Sequence, residues 1–255
     1  MRTLTALTAL AVASLPLAAQ QPGAEHPKTT VTSPRDAMSG QASGKRMMAH
    51  DSSRAAAAMR HEDKDRAVAG GGTLPAGWSG RTDGAASALA QVKFAPMGPG
   101  MHLTLGPATI LYRESDRVSG PFHTLATFTQ TKAPTHPEGY GLFFGGEGLN
   151  DAGQKYVYFL VRGDGKFLIK RRDGANTSVV KDWTESSAIV KADPAGKATN
   201  RLEIDGSQAG KVTFKINGQD VYSMVATPAD LNGAIGIRAN HNLDLHIAGF
   251  AVHRM

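Results

Sequence analysis

Asn200-Arg-Leu-Glu-Ile, Lys211-Val-Thr-Phe-Lys-Ile-Asn-Gly-Gln, Gly233-Ala-Ile-Gly-Ile-Arg and Leu243-Asp-Leu-His-Ile-Ala-Gly-Phe-Ala-Val are the stretches that decide the fold of this 255-residue chain. In them apolar residues fall on every second position: Leu202 and Ile204, then Val212, Phe214 and Ile216, then Leu243, Leu245 and Ile247. Successive side chains of an extended backbone point to opposite sides, so this period marks strands with one buried face. Between Ile216 and Gln219 stands Asn217-Gly218, a dipeptide that tolerates the positive φ angles of a two-residue hairpin turn. Asp205-Gly206 predicts a second hairpin with a longer loop before Lys211. Together these stretches predict inner strands of an antiparallel β-sandwich.

Upstream, strand patterns run over 90–95, 101–105, 109–113, 122–131, 140–144, 155–162, 166–171 and 178–182, with Pro and Gly in the gaps. Tyr156-Val-Tyr-Phe-Leu-Val is apolar on both faces, which marks a central strand covered on both sides. A dozen or so short strands without a long amphipathic helix give an all-β fold, a sandwich of two antiparallel sheets over 73–255. Trp78 is expected over a sheet edge and Trp183 under a loop.

The chain carries 28 Lys plus Arg against 22 Asp plus Glu. Over 71–255 the balance is 19 against 16, and Lys170-Arg171-Arg172 is the only dense basic run there, read as a solvated strand end. Without a clustered basic stripe, nucleic acid is not an expected partner. With no cysteine, disulfides, thiolate metal sites and cysteine nucleophiles are excluded. Residues 1–19 combine one Arg, a short apolar run, Pro16 and small residues before Gln20, the pattern of a secretory signal cleaved after Ala19. Past it no apolar run approaches the roughly 20 residues of a membrane span. Residues 20–72 are rich in Ser, Thr, Ala, Gly and Pro and lack aromatics, as expected of a disordered stalk, with a marginal helix at 53–66. The expected location is the periplasm or the exterior of a bacterial cell envelope.

Gly139-Tyr-Gly-Leu-Phe-Phe, Tyr156-Val-Tyr-Phe-Leu-Val-Arg-Gly-Asp-Gly, Asp182-Trp-Thr-Glu-Ser-Ser-Ala-Ile, Asn200-Arg-Leu-Glu-Ile, Val212-Thr-Phe-Lys-Ile-Asn-Gly-Gln and Gly233-Ala-Ile-Gly-Ile-Arg occur in this order. The pattern resembles the concanavalin A-like lectin/glucanase superfamily, in particular its laminin-G-like and 3-keto-disaccharide hydrolase-like branch. The resemblance covers about 73–253 and rests on strand and turn residues. It implies a jelly-roll sandwich, in relatives of which a curved sheet holds a sugar.

Glu203-Ile-Asp-Gly-Ser-Gln is similar to the start of the β-glucanase motif Glu-x-Asp-x-x-Glu. Its last position is Gln208, which cannot exchange the proton that hydrolysis requires, so the motif is not read as catalytic. The densest polar group is Arg238-Ala-Asn-His-Asn-Leu-Asp-Leu-His. It reads as a turn followed by an outward strand face bearing Asn242, Asp244 and His246, as fixed donors and acceptors for a sugar, or as a metal site from Asp244, His246 and His241. Tyr140, Tyr156 and Tyr158 form either a stacking platform or core with hydroxyls at the margin. The ligand-binding set expected from these readings is Tyr140, Tyr158, Arg238, Asn240, His241 and Asn242, with no catalytic residue, metal ligand or cofactor assigned. The expected function is a non-catalytic carbohydrate-binding or adhesion module with a glycan and a cell-envelope protein as partners. Two alternatives stay open: a hydrolase whose acid is Glu114, Glu138 or Glu147, and a protein–protein module using a sandwich edge.

Overall fold

The computed structural model describes residues 64–83 and 86–255; the segment read as a signal and most of that read as a stalk lie outside the described residues. In chain order the strands are β1 (Ser79–Thr82), β2 (Val92–Met97), β3 (Gly100–Leu105), β4 (Thr109–Tyr112), β5 (Val118–Ser119), β6 (Phe122–Gln130), β7 (Tyr140–Glu147) and β8 (Lys155–Val161). They continue with β9 (Lys166–Asp173), β10 (Asn176–Glu185), β11 (Ala198–Asp205), β12 (Lys211–Ile216), β13 (Gln219–Val225), β14 (Asn232–Ala239) and β15 (Asp244–Arg254). Two short 3-10 turns, Ala86–Gln91 and Glu114–Asp116, are the helical pieces among the described residues.

One antiparallel sheet has the order β1-β4-β14-β7-β8-β9-β10, with β5 paired to the start of β14. The other has the order β13-β12-β11-β6-β15-β3-β2. The fold is thus the expected all-β sandwich. Consecutive strands β14 and β15 lie in different sheets, so the turn at 240–243 carries the chain from one layer to the other.

The alternation read from the sequence sets the burial. Leu202, Phe214 and Leu245 are fully buried, and Leu202 stands opposite Ile216 and Ile204 opposite Phe214. Between the sheets Phe214 of β12 meets Phe144 of β7 (6.1 Å between centroids) and Phe159 of β8 (5.1 Å), while Phe128 of β6 meets Tyr140 (5.8 Å). Each such side chain contributes on the order of 1.5–3 kcal/mol through burial. The β12–β13 hairpin closes as expected, with Asn217 at φ 50° and Gly218 at φ 82°. The Asn217 amide also donates to Ala188 O (2.8 Å) and Asn200 Oδ1 (2.9 Å), and its oxygen accepts the Arg201 N–H (2.8 Å). That turn is a junction as well as a bend.

The chain lies on the sandwich before Thr73, the boundary expected from composition. The Phe94 N–H donates to Gly71 O (2.8 Å). Arg66 donates from its backbone N–H to Asn242 Oδ1 (2.7 Å), from Nε to Leu105 O (2.9 Å), from Nη2 to Leu243 O (2.7 Å) and from Nη1 to Asp244 Oδ2 (2.8 Å). A segment poor in apolar residues is held here by polar bonds to one turn, which composition does not reveal.

Candidate functional site

Strand β8 shows why one face of the larger sheet matters. Val157, Phe159 and Val161 enter the core between the sheets, whereas Tyr156, Tyr158 and Leu160 form a second apolar cluster on the outer face. Neighbouring strands add Ile110 and Tyr112 from β4, Phe143 from β7 and Leu168 from β9, with Trp183 of β10 packed against them. Register lines up Tyr112, Gly236, Phe143, Tyr158 and Lys170 across five strands, and sets Arg172 beside Tyr156. At Gly236 a Cβ would stand 2.5 Å from the Phe143 ring and 2.3 Å from Leu111 O, so only glycine lets that ring lie across β14. Tyr156 lies 5.1 Å from Phe143 and 5.7 Å from Tyr158, ring centre to ring centre.

Over this aromatic floor sits a charged group. Arg238 of β14, nearly fully buried, grips the Asp83 carboxylate with both terminal nitrogens (2.5 and 2.7 Å), and its Nη1 donates to the Tyr156 hydroxyl (3.3 Å). Arg172 of β9 reaches the same carboxylate (3.0 Å) and is tied down by Nε–H donation to Gly174 O (2.9 Å). Burial alone would raise the Asp83 carboxyl; hydrogen bonding to and the charge of Arg238, with the charge of Arg172, outweigh it and hold the group below its ordinary 3.8. Burial likewise disfavours charge on Arg238, but Tyr156 and Asp83 reverse the balance and keep it a firm cation. Asp83 retains 38% of its side-chain exposure against 7% for Arg238, so the carboxylate is the accessible part of a rigid assembly. The rings themselves are buried, so what the arrangement presents is an ionised acceptor beside planar donors, with the partly buried Trp183 at its margin, groups that orient a polar ligand.

The expected site residues divide between three places. Tyr158 and Arg238 meet on this outer face, with the Arg238 guanidinium 5.9 Å from the Tyr158 ring centre. Tyr140 does not join them: it alternates with Phe143 along β7, points into the core, and burial pushes its hydroxyl up to about 12. Asn240, His241 and Asn242 occupy the crossover turn, where they bind chain rather than line the face. The Asn240 N–H donates to Gly139 O (2.8 Å), and His241 contacts Glu138 (2.9 Å) and Asp65 (3.1 Å). Asn242, at φ 59°, accepts from Arg66 and donates to Lys64 O (3.1 Å).

Because β15 begins only at Asp244, Asn242 does not share a strand face with Asp244 and His246. Asp244 accepts from Arg66 and from Thr104 Oγ1 (2.9 Å), while His246 stands beside His102. Among the described residues no three carboxylate or imidazole side chains converge as metal ligands. Glu203 contacts His123 (3.0 Å) and Arg201 (3.3 Å), and Asp205 accepts from Ser207, so both residues of the glucanase-like pair serve the second sheet. Glu114 and Glu147 share Arg117 on the surface (3.2 and 2.6 Å). Trp183 stands on β10 with the Arg162 guanidinium 4.2 Å over its ring, and its ring tip reaches the loop at Gly139, where a Cβ would stand 3.1 Å from it. Trp78 packs on Phe250 (5.2 Å).

Sequence reasoning missed Asp83 and Arg172. The second had a signal: alternation along β9 puts Lys170 and Arg172 opposite in phase to Phe167 and Ile169. Asp83 had none, since it lies 155 positions from the arginine it pairs with.

No protein-family model and no curated protein matches the chain. Solved structures do. A carbohydrate binding module, CBM66 from Bacillus subtilis, superposes with a TM-score of 0.51 at 11% identity, covering 70% of this chain and 96% of its own. The β-glucanase of Bacillus licheniformis gives 0.47 at 9% identity, covering 74% and 96%. Sheep galectin-11 gives 0.39 at 12% identity, covering 54% and 94%. At such identity a likeness speaks to architecture, and the architecture here is the concanavalin A-like lectin/glucanase fold.

Proposed function

We propose that the protein is an exported, non-catalytic carbohydrate-binding module whose sugar site is the outer face of the larger sheet. The observation that carries this reading is the half-open Asp83 carboxylate clamped by Arg238 and Arg172 above Tyr156 and Tyr158. Paired hydroxyls of a sugar match an ionised acceptor beside planar donors, and its C–H faces match aromatic rings such as the partly exposed Trp183. The name of the Bacillus subtilis module supports the reading. Residues 1–19 would direct export, with a cell-envelope protein as a further partner.

Hydrolysis is the second reading. Retaining enzymes need two carboxyls about 5–5.5 Å apart, one of them keeping its proton. Asp83 is held ionised between two guanidinium groups, which suits binding and not proton donation. Glu138, the most enclosed of the three acids considered, is engaged by His241. Against a protein-docking role, the exposed large apolar side chains among the described residues (Met97, Val179, Val190, Val225 and Met255) sit on separate elements.

The test is a glycan array followed by calorimetry on the hits, run beside an assay for released reducing sugar. Binding without turnover, weakened about tenfold by Asp83→Asn, equivalent to losing one charge-assisted hydrogen bond, and also by Trp183→Ala, is the expected result. Turnover abolished by Glu138→Gln would replace the module with an enzyme. Hits unaffected by either binding-face change would place the site elsewhere.

A further inference from the structure

The charge on this same face is unbalanced. Two guanidinium groups, Arg238 and Arg172, share the single Asp83 carboxylate. Lys170 projects from β9 on the same side, in register with Tyr158, and has no carboxylate partner among the described residues. Tyr158 is therefore flanked by Arg238 on one side and Lys170 on the other. The charged residues at the ends of β8 and β9 do not offset the excess, because they come as opposed pairs: Lys155 with Asp173 (3.1 Å) and Arg162 with Asp164 (2.5 Å).

A second observation is independent of that count. Nε of Arg238 is buried and has no acceptor, although both terminal nitrogens donate to Asp83 and Nη1 also to Tyr156. A buried N–H of a charged group left unpaired is costly, so the Arg238 guanidinium carries positive charge that its partners do not fully meet. Cations concentrated on one face beside low-dielectric aromatic walls also raise the local concentration of anions.

We infer that the ligand of this face is an anionic glycan, one bearing carboxylate or sulfate groups, with Lys170 and Arg172 meeting the anionic group. The inference rests on the carbohydrate-binding reading and adds the charge of the sugar to it. Neutral glycans would use the same floor without the ionic contacts.

The experiment compares tetragalacturonate with its methyl ester, and a sulfated oligosaccharide with its desulfated form, by calorimetry at low and moderate salt. The acid or sulfated member of at least one pair is expected to bind about tenfold tighter, with the advantage shrinking as salt rises. Lys170→Glu should erase that advantage and Lys170→Gln reduce it. Lys93→Glu, an equal change of net charge at an exposed position of β2 in the other sheet, should leave it in place. A preference that falls equally with Lys93→Glu is general attraction to a basic protein and overturns the inference. Equal affinity within both pairs also overturns it, while leaving glycan binding intact. Binding to no member of either pair, and to nothing on the array, sinks the carbohydrate reading and this inference with it.

Discussion

Replacing Arg66 with Met tests whether the chain before Thr73 is part of the folded unit. The substitution keeps the aliphatic stem and removes three guanidinium donors, to Leu105 O, Leu243 O and Asp244. Asp244 is 4% exposed and would keep only the Thr104 hydroxyl, since His102 stands 3.9 Å away and burial holds that imidazole below its ordinary 6.5. Breaking a buried ion pair from one side costs about 3–5 kcal/mol. Arg66 is itself 37% exposed, so water recovers part of this and about 2–3 kcal/mol is expected. For a domain of this size that is roughly 5–10 °C in Tm, read by thermal and urea melts followed through Trp78 and Trp183. The pH dependence carries a sign. Burial alone would raise the Asp244 carboxyl, but the Arg66 and Thr104 hydrogen bonds bring it below 3.8. Its contribution is full above the unfolded value and fades as pH falls through the folded one, so the deficit of Arg66→Met should be constant from pH 5 to 7 and shrink below pH 4. Adding Asp244→Asn should cost far less in the variant than in the native chain. A melting point within a degree of the native one at pH 7 would mean that Arg66 does not hold the chain before Thr73 to the sandwich.

Three further changes probe other parts of the fold. Gly236→Ala should unfold the domain or cost several kcal/mol, because its Cβ would stand 2.3 Å from Leu111 O and 2.5 Å from Phe143; a melt close to native would mean that the ring has other places to go. Asn217→Ala removes three hydrogen bonds at a residue with φ 50° and should cost about 2–3 kcal/mol by urea denaturation, and Asn217→Asp, which keeps the acceptor for Arg201 but sets a carboxylate oxygen against Ala188 O and Asn200 Oδ1, should cost at least as much. Burial first, and neighbouring His246 and lysines after it, lower His102 despite the opposing pull of Asp244. The unfolded chain therefore takes up the proton first, and stability should decline as pH drops from 6.5 to the folded value. His102→Gln should flatten that slope in urea midpoints measured between pH 5 and 7.

The strands, their buried faces and the tightest hairpin are written locally in the sequence. Alternation such as Leu202/Ile204 or Phe214/Ile216 is a local property of extended backbone, and Asn217-Gly218 carries its turn in two residues. It also marked β8 as covered on both sides and picked out Arg238. Tertiary structure alone decided what covers the second side of β8 and what Arg238 holds, because Asp83, Tyr156 and Arg172 reach one another only once strands distant in sequence are in register. The same limit keeps alternation alone from separating Tyr140 from Tyr158, and composition from revealing the bonds made before Thr73. A period of two assigns residues to faces within each strand, but only strand pairing and the long-range bonds of Arg66 fix how faces on different strands, and the chain before Thr73, come together.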